Sequence, residues 1–337
     1  MRGRSVLLAY DHHKHLVFAN HAVKGAEYTC PHCKNKMILK KGEIITPHFA
    51  HLKVASIFCS KGETQAHYSL KYQLALKLSC IGYHVQIEPY IAGIYQYPDL
   101  IIDKKIAIEI QFSKITISSV KKRSNGLLHI GYRLIWIIPN PYYDKLRHIL
   151  ILTKYERTFI DFKSKRLLTW DSSNKQLYMY QIYNFIGGNR YIAHKFKLEI
   201  KDFDYVFSQI ETEDFTRDIK LNKNTIQQYI NRCRCTRSVK EPSLSVMYNL
   251  GLSDNWVSTY LGIIYPEQLY IQSHPIYWQL QLLYLLVKTP QNLNEFNEKI
   301  MLNHFYNIEN TKDVIVNELI NKFRNSYSKM EYNNVQN

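Results

Sequence analysis

Two strings constrain this chain more than any other feature: Tyr97-Pro98-Asp99-Leu100-Ile101-Ile102 and Ile106-Ala107-Ile108-Glu109-Ile110-Gln111. Each sets one carboxylate inside an apolar, β-branched run that reads as a strand. A carboxylate buried there is costly unless a cation or hydrogen bonds compensate it. The two strands are joined by a tight Asp103-Lys104 connection, so Asp99 and Glu109 can converge on one Mg²⁺ (or Mn²⁺). Mg²⁺ prefers oxygen ligands and is commonly held by one or two carboxylates plus substrate phosphate. Period two along a strand puts Gln111 on the face of Glu109, so the three side chains can line one cavity. Taken singly, Asp99 also reads as a strand-end acid and Glu109 as an edge-strand charge.

The flanking pattern gives these strands a context. From Glu63 to about Ile81 the chain reads as a helix, with His67, Leu70, Leu74, Leu78 and Ile81 on one face and Gly82 as a stop signal. Tyr83–Ile87, Tyr97–Ile102 and Lys105–Phe112 read as three strands. Residues 115–130 read as a helix of mixed apolar and basic character, and Leu134–Ile138 as a buried strand ending at Pro139. Glu63, His67 and Lys71 are spaced i, i+4, i+8 and form a stripe. That stripe is either a solvated helix face or part of the site, with Glu63 as a third metal ligand and Lys71 near a phosphate.

Charge separates the chain into two parts. Residues 1–200 hold 30 basic and 13 acidic side chains, and residues 201–337 hold 14 and 15. Between Glu109 and Asp144 there is no acid at all. A general bias towards Lys, Asn, Ile and Tyr accounts for part of the basic count but not for this asymmetry. It points to a polyanion as partner of the first part, with Lys114, Lys121, Lys122, Arg123 and Arg133 as candidate contacts to a DNA backbone.

A further cluster lies upstream: Cys30-Pro31-His32-Cys33, then His48-Phe49-Ala50-His51. A Cys-x2-Cys knuckle offers two thiolates to one Zn²⁺, and a second pair completes a tetrahedron. Here His-x2-His is tighter than usual for that second pair, and Cys59 could replace one histidine. The alternative is unligated thiols and surface histidines. If zinc is bound, four protein ligands make the role structural.

Further along, residues 140–200 look strand-rich, with alternation through Arg157–Phe162 and Leu177–Tyr183 and a turn at Gly187-Gly188-Asn189. Residues 203–325 read mainly as helices, including Thr225–Cys233, Ile276–Val287 and Val314–Phe323, with Trp256 and Trp278 as core. The polar tail 326–337 is expected to fray. No signal-peptide core or membrane span is visible, so the expected location is cytoplasmic. The expected organisation is 1–60, an N-terminal metal module; 61–140, the core; 141–200, a strand-rich extension; and 201–337, a helical region.

The proline–aspartate followed by Glu109-Ile110-Gln111 resembles the PD-(D/E)xK nuclease superfamily. The wider set resembles the competence protein CoiA family. That set is Tyr28–Cys33, His48–His51, the Glu63/His67/Lys71 helix, Asp99, Glu109, Gln111 and Trp136. The likeness covers residues 20–140 well and the rest in outline. It implies an α/β fold: a restriction-endonuclease-like mixed sheet flanked by helices, a zinc-ribbon-like N-terminal module and a mainly helical C-terminal region. It also implies a role in processing or recombining DNA taken up in natural transformation. Gln111 stands where many superfamily members have Lys, so the site can orient water but supplies no charge there. Lys71 or Lys114 would have to compensate.

Two functions of different class follow. One is a Mg²⁺-dependent nuclease, with Asp99, Glu109 and Glu63 as ligands and Gln111 positioning water. The other is a non-catalytic DNA-binding or recombination-assisting protein on a nuclease scaffold, whose C-terminal helices recruit recombination or competence-machinery partners. A restriction-like or defence nuclease shares the core, but the knuckle and helix strings disfavour it.

Overall fold

A computed structural model describes residues 8–19, 21–30, 34–42, 47–52, 65–208, 218–238, 240–308 and 312–335. Glu63, Cys33 and Cys59 lie outside these residues. The chain divides into two compact units. The first comprises residues 1–139, 172–175 and 199–207, and the second residues 140–171, 176–198 and 208–337.

The first unit opens with short strands: β1 (Leu8–Tyr10), β2 (Leu16–Phe18), β3 (Tyr28–Thr29), β4 (Lys36–Lys40) and β5 (His48–His51), in sheet order β2-β1-β3-β4-β5. Ala9, Tyr28, Met37 and Phe49 are buried in its small core. Helix α1 (Gln65–Cys80) follows. Its buried stripe is His67, Leu70, Lys71, Leu74, Ala75 and Leu78, at spacings of three and four. Two titratable side chains thus sit on the face that packs inward. Ile81, expected on that face, is exposed because the helix ends at Cys80 and Gly82 turns the chain at φ +100°.

Strands β6 (Val85–Ile87), β7 (Leu100–Ile102) and β8 (Ile106–Ile110) form an antiparallel run, and β9 (Arg133–Pro139) adds parallel to β8. The sheet is therefore mixed, and the parallel crossover is α2 (Ile117–His129). Strands β8 and β9 are buried along most of their length, as expected of parallel strands covered on both faces. Thr116 caps α2, its Oγ1 accepting from the Ser119 N–H at 3.1 Å. Gly131 ends it at φ +87°, with its N–H donating to Leu128 O.

In the second unit, β10 (Tyr143–Asp144), β11 (Ile149–Ile151), β12 (Arg166–Asp171), β13 (Gln176–Gly187) and β14 (Arg190–Leu198) lie in the order β10-β11-β14-β13-β12. Gly187 and Gly188 make the β13–β14 turn at positive φ. The alternation through Arg157–Phe162 does not form a strand. Glu156–Phe159 is a 3₁₀ turn whose Arg157 is buried and donates to Asn303 Oδ1 at 2.8 Å and Asn189 Oδ1 at 3.1 Å. Helices then dominate. Trp278, on the Pro275–Lys288 helix, is fully buried and donates to Gln268. The terminal helix runs Lys312–Val335, past the point where the polar tail was expected to fray. No helix among the described residues is long and apolar enough to cross a membrane.

The β7–β8 connection carries a local cost. Asp103 and Lys104 both have left-handed φ (48° and 54°), and Lys105 N donates to Ile102 O at 3.0 Å, closing a type I′ turn. Asp103 is committed, since its Oδ1 accepts from His84 N–H at 2.9 Å. Lys104→Gly is therefore expected to stabilise the protein by about 0.5–1 kcal/mol, since left-handed φ is unfavourable for Lys and free for Gly. An upward shift of the urea midpoint at constant slope checks it.

Candidate active site at the β7–β8 hairpin

Leu100 faces Ile108 across the hairpin, so the next step of the register sets Asp99 against Glu109 on one face. The Ile110 N–H donates to Asp99 Oδ2 at 2.8 Å, fixing the aspartate at the mouth of the strand pair. Both carboxylates are buried, Asp99 at 5% and Glu109 at 1% exposure. The two expected to converge thus lie together, but their surroundings differ.

Asp99 is surrounded by donors. His67 Nε2 lies 3.2 Å from Oδ2, and Lys71 Nζ lies 3.4 Å from Oδ1. Burial pushes the Asp99 carboxyl up. The His67 hydrogen bond and charge, Lys71 and the Ile110 N–H outweigh it and hold the group below the ordinary carboxylate range. Glu109 sits beside Trp136 of β9 in register and meets one cation, Arg123, whose Nη2 donates to Oε2. Its Oε1 is buried with no hydrogen-bond partner. Burial pushes Glu109 well above the ordinary range. Arg123 opposes that shift, the Asp99 charge adds to it, and the upward terms prevail. One carboxylate is held ionised and its neighbour towards the neutral form, the contrast that separates acid from base in many active sites.

The structure corrects several expected roles. Lys71 is fully buried, its ammonium paired with Glu88 and Asp99, so it does not reach outward to a phosphate. Arg123 lies over the Trp136 ring at 5.5 Å and pairs with Glu109, so it is part of the site and not a backbone contact. Arg133 donates to the carbonyls of Phe207 and, at 3.0 Å, Val206, which removes it from the DNA-facing set. Gln111 is on the expected face and buried, but its amide nitrogen donates to Ser113 O at 2.5 Å and Ser113 Oγ at 3.2 Å. Its Oε1 lies 3.5 Å from Arg123 Nη1. Gln111 therefore anchors the loop after β8, and its amide N–H is not directed at an attacking water. Lys114 and Lys122 are exposed and Lys121 half-buried.

Glu88 was not singled out by the sequence. It follows β6 at left-handed φ 47°, its N–H donates to Asp99 O at 3.0 Å, and its carboxylate accepts from Lys71. The available signal was the scarcity of acids in this part of the chain. An acid beside Pro89 at a strand end otherwise looks like turn chemistry.

For a divalent cation, the donor chemistry fits: two adjacent carboxylates, one with an orphaned oxygen. Among the described residues no group of three or more His, Cys, Asp or Glu side chains gathers as a metal cluster. That leaves a two-carboxylate set of the kind Mg²⁺ accepts with phosphate and water. For zinc the fit is poorer. His48 and His51 lie three apart on β5 and so point to opposite faces. His51 faces Met37 across the β4–β5 pair and shares the face of Cys30, which continues from Tyr28. Burial lowers the His51 pKa. His48 thus lies on the other face of β5 from His51, and Cys33 of the expected four-ligand set lies outside the described residues.

Among known families, the model of the competence protein CoiA N-terminal domain matches residues 12–58, and that of the competence protein CoiA nuclease-like domain matches residues 63–212. Together they span more than half of the chain. Competence protein CoiA of Bacillus subtilis (strain 168) is 32% identical over 123 residues, 35% of this chain and 33% of that protein. Druantia protein DruB of Escherichia coli (strain UMEA 4076-1) is 51% identical over 37 residues, 11% of this chain and 7% of that protein. The matched regions thus span a third or less of these relatives' lengths. No solved structure matches at a significant level.

Two stability predictions follow from the site. Lys71→Met leaves the buried Asp99 and the half-buried Glu88 without their shared cation, and is expected to destabilise by about 3–5 kcal/mol, read from urea titration. The pH dependence has two opposite arms. Asp99, depressed in the fold, contributes stability above its unfolded pKa that is lost as pH falls through the folded value. Glu109, raised in the fold, contributes stability below its unfolded pKa that is lost as pH rises through the folded value. Asp99→Asn should flatten the acid arm and Glu109→Gln the arm at higher pH, measured as unfolding free energy against pH.

Proposed function

Because the chain belongs to the competence protein CoiA family, we propose that its first unit is a metal-dependent nuclease of the PD-(D/E)xK type that acts on incoming DNA and supports its recombination during natural transformation. The observation that carries this reading is the buried, unpartnered Glu109 Oε1 beside an ionised Asp99. A buried carboxylate oxygen without a donor is costly, and a cation is the partner such an atom calls for.

Asp99 and Glu109 would hold Mg²⁺ or Mn²⁺, with Glu63 as a further ligand. Such an ion supplies a nucleophile from water at neutral pH and neutralises charge on a phosphodiester. The chain's own groups prepare the site. His67, Lys71 and the Ile110 N–H keep Asp99 charged and oriented. Arg123 takes one oxygen of Glu109 and leaves the other for the ligand. Gln111, tied to Ser113, braces the loop behind Arg123. Lys114 and Lys122 meet backbone phosphates without reading bases.

The anchoring of Gln111 and the burial of Lys71 favour a second reading. With Gln111 tied to Ser113 and the Lys71 ammonium paired inside, the site would bind DNA on a nuclease scaffold without cutting it, and the helices of residues 201–337 would recruit recombination or competence partners.

Cleavage of linear single- and double-stranded DNA in Mg²⁺ or Mn²⁺, wild type against Asp99→Ala, separates the readings. Metal-dependent cleavage abolished by Asp99→Ala is expected. Equal cleavage by the variant overturns the nuclease assignment. Salt-sensitive binding without cleavage supports the second reading.

A further inference from the structure

The segment between Glu88 and Asp99 is bounded at each end by a residue of the carboxylate site, yet it carries three exposed tyrosines. Tyr90 is 51%, Tyr95 81% and Tyr97 45% exposed. The rings of Tyr90 and Tyr97 pack at 4.8 Å between centroids and 32° between planes. Tyr95 stands at the tip of a tight hairpin, at φ 53°. Left-handed φ is a genuine outlier for a bulky side chain, and such strain persists where surrounding structure imposes it.

That structure is visible. Ile91 and Gln96 exchange both backbone hydrogen bonds, Ile91 N to Gln96 O at 2.9 Å and Gln96 N to Ile91 O at 3.4 Å. The hairpin also touches α2. A Cβ built on Gly126 would stand 2.5 Å from the Gln96 side-chain nitrogen, so the end of the Gln96 side chain rests against the helix at this glycine. Lys122, exposed, is one turn before Gly126 on the same side of α2. The tyrosine loop is therefore a shaped, ordered element with a cation alongside and two carboxylates at its base.

We propose that this loop is a stacking platform for the unpaired bases of single-stranded DNA, which it presents to the Asp99–Glu109 site. In a duplex the base faces are stacked on one another and unavailable to a side chain. In a single strand every base offers a π-face, and aromatic rings beside a basic backbone track are the usual way of binding it without sequence preference. The exposed Lys114 and Lys122, in a stretch without acids from Ile110 to Tyr143, supply the basic track. The proposal rests on the nuclease-site reading for what happens to the strand, but not for its binding.

The test is fluorescence anisotropy on the full chain, in EDTA so that no cleavage intervenes. The probe is a labelled oligothymidylate longer than the roughly 4–16 nucleotides of a typical single-strand site. It is used alone and annealed to its complement. Wild type is expected to prefer the single strand. Tyr90→Ala and Tyr95→Ala should each weaken single-strand binding roughly 5- to 100-fold, the range measured for lost base stacking, with duplex binding and the salt slope unchanged. Tyr95→Phe, which keeps the ring, should bind as wild type. Lys122→Ala should instead lower the salt slope by about 0.7. Equal wild-type affinity for both forms, unchanged binding by the alanine variants, or parallel loss of single-strand and duplex binding each overturns the platform. Tighter binding to oligouridylate overturns its assignment to DNA. Absence of cleavage in the Mg²⁺ assay leaves these binding outcomes intact, so the two proposals fail separately.

Discussion

The first unit is organised around one buried anion. Asp99 lies at the entrance of β7, and three separate pieces of chain are committed to it: the inward stripe of α1 through His67 and Lys71, the backbone of β8 through Ile110, and the loop after β6 through Glu88. A charge so placed is tolerable only when donors and cations compensate it. Meeting that demand sets α1 against the sheet and the Ile110 N–H on the carboxylate, while the Glu88 N–H bonds the main-chain carbonyl of the same aspartate. Helix and sheet are thus joined by an ion-pair network where a small α/β unit would ordinarily use aliphatic contact alone.

Glu109 is treated differently, and the difference gives the site its chemical character. It has one cation on one oxygen and nothing on the other. Arg123 is itself constrained by Trp136, which donates to Ser124 at 3.1 Å and presents its face to the guanidinium. The parallel β8–β9 pairing that sets Glu109 beside Trp136 therefore also aims the arginine. A satisfied carboxylate next to an unsatisfied one is an arrangement that a bound cation would complete and that folding alone does not favour.

The basic character of the first 200 residues sorts itself in the same way. Lys71, buried, and Arg123 and Arg133, half-buried, are committed to the fold, each answering a carboxylate or a set of carbonyls. Lys114 and Lys122 face solvent. From sequence these five are one population of cations. Separating them required knowing which faces of α1 and α2 turn inward.

Local chemistry was enough to read the hairpin and its carboxylates. Acids inside β-branched runs have few explanations, and period two and a two-residue turn tie them to one face. The α1 stripe was legible through its 3.6-residue period, and α2 and β9 were legible as a helix and an apolar strand, though not their parallel crossover. Tertiary structure decided the rest. The sequence could not say that Gln111 turns to Ser113, that Arg123 folds back over Trp136, or that Glu88 closes on Lys71, because each depends on a residue brought near by the fold. The same holds for His48 and His51, adjacent in a motif but separated to opposite faces once the segment became a strand. Sequence determines which side chains must be compensated when buried; only the packing of helix on sheet determines which partner compensates them, because electrostatic pairing acts over a few ångströms of space and is indifferent to distance along the chain.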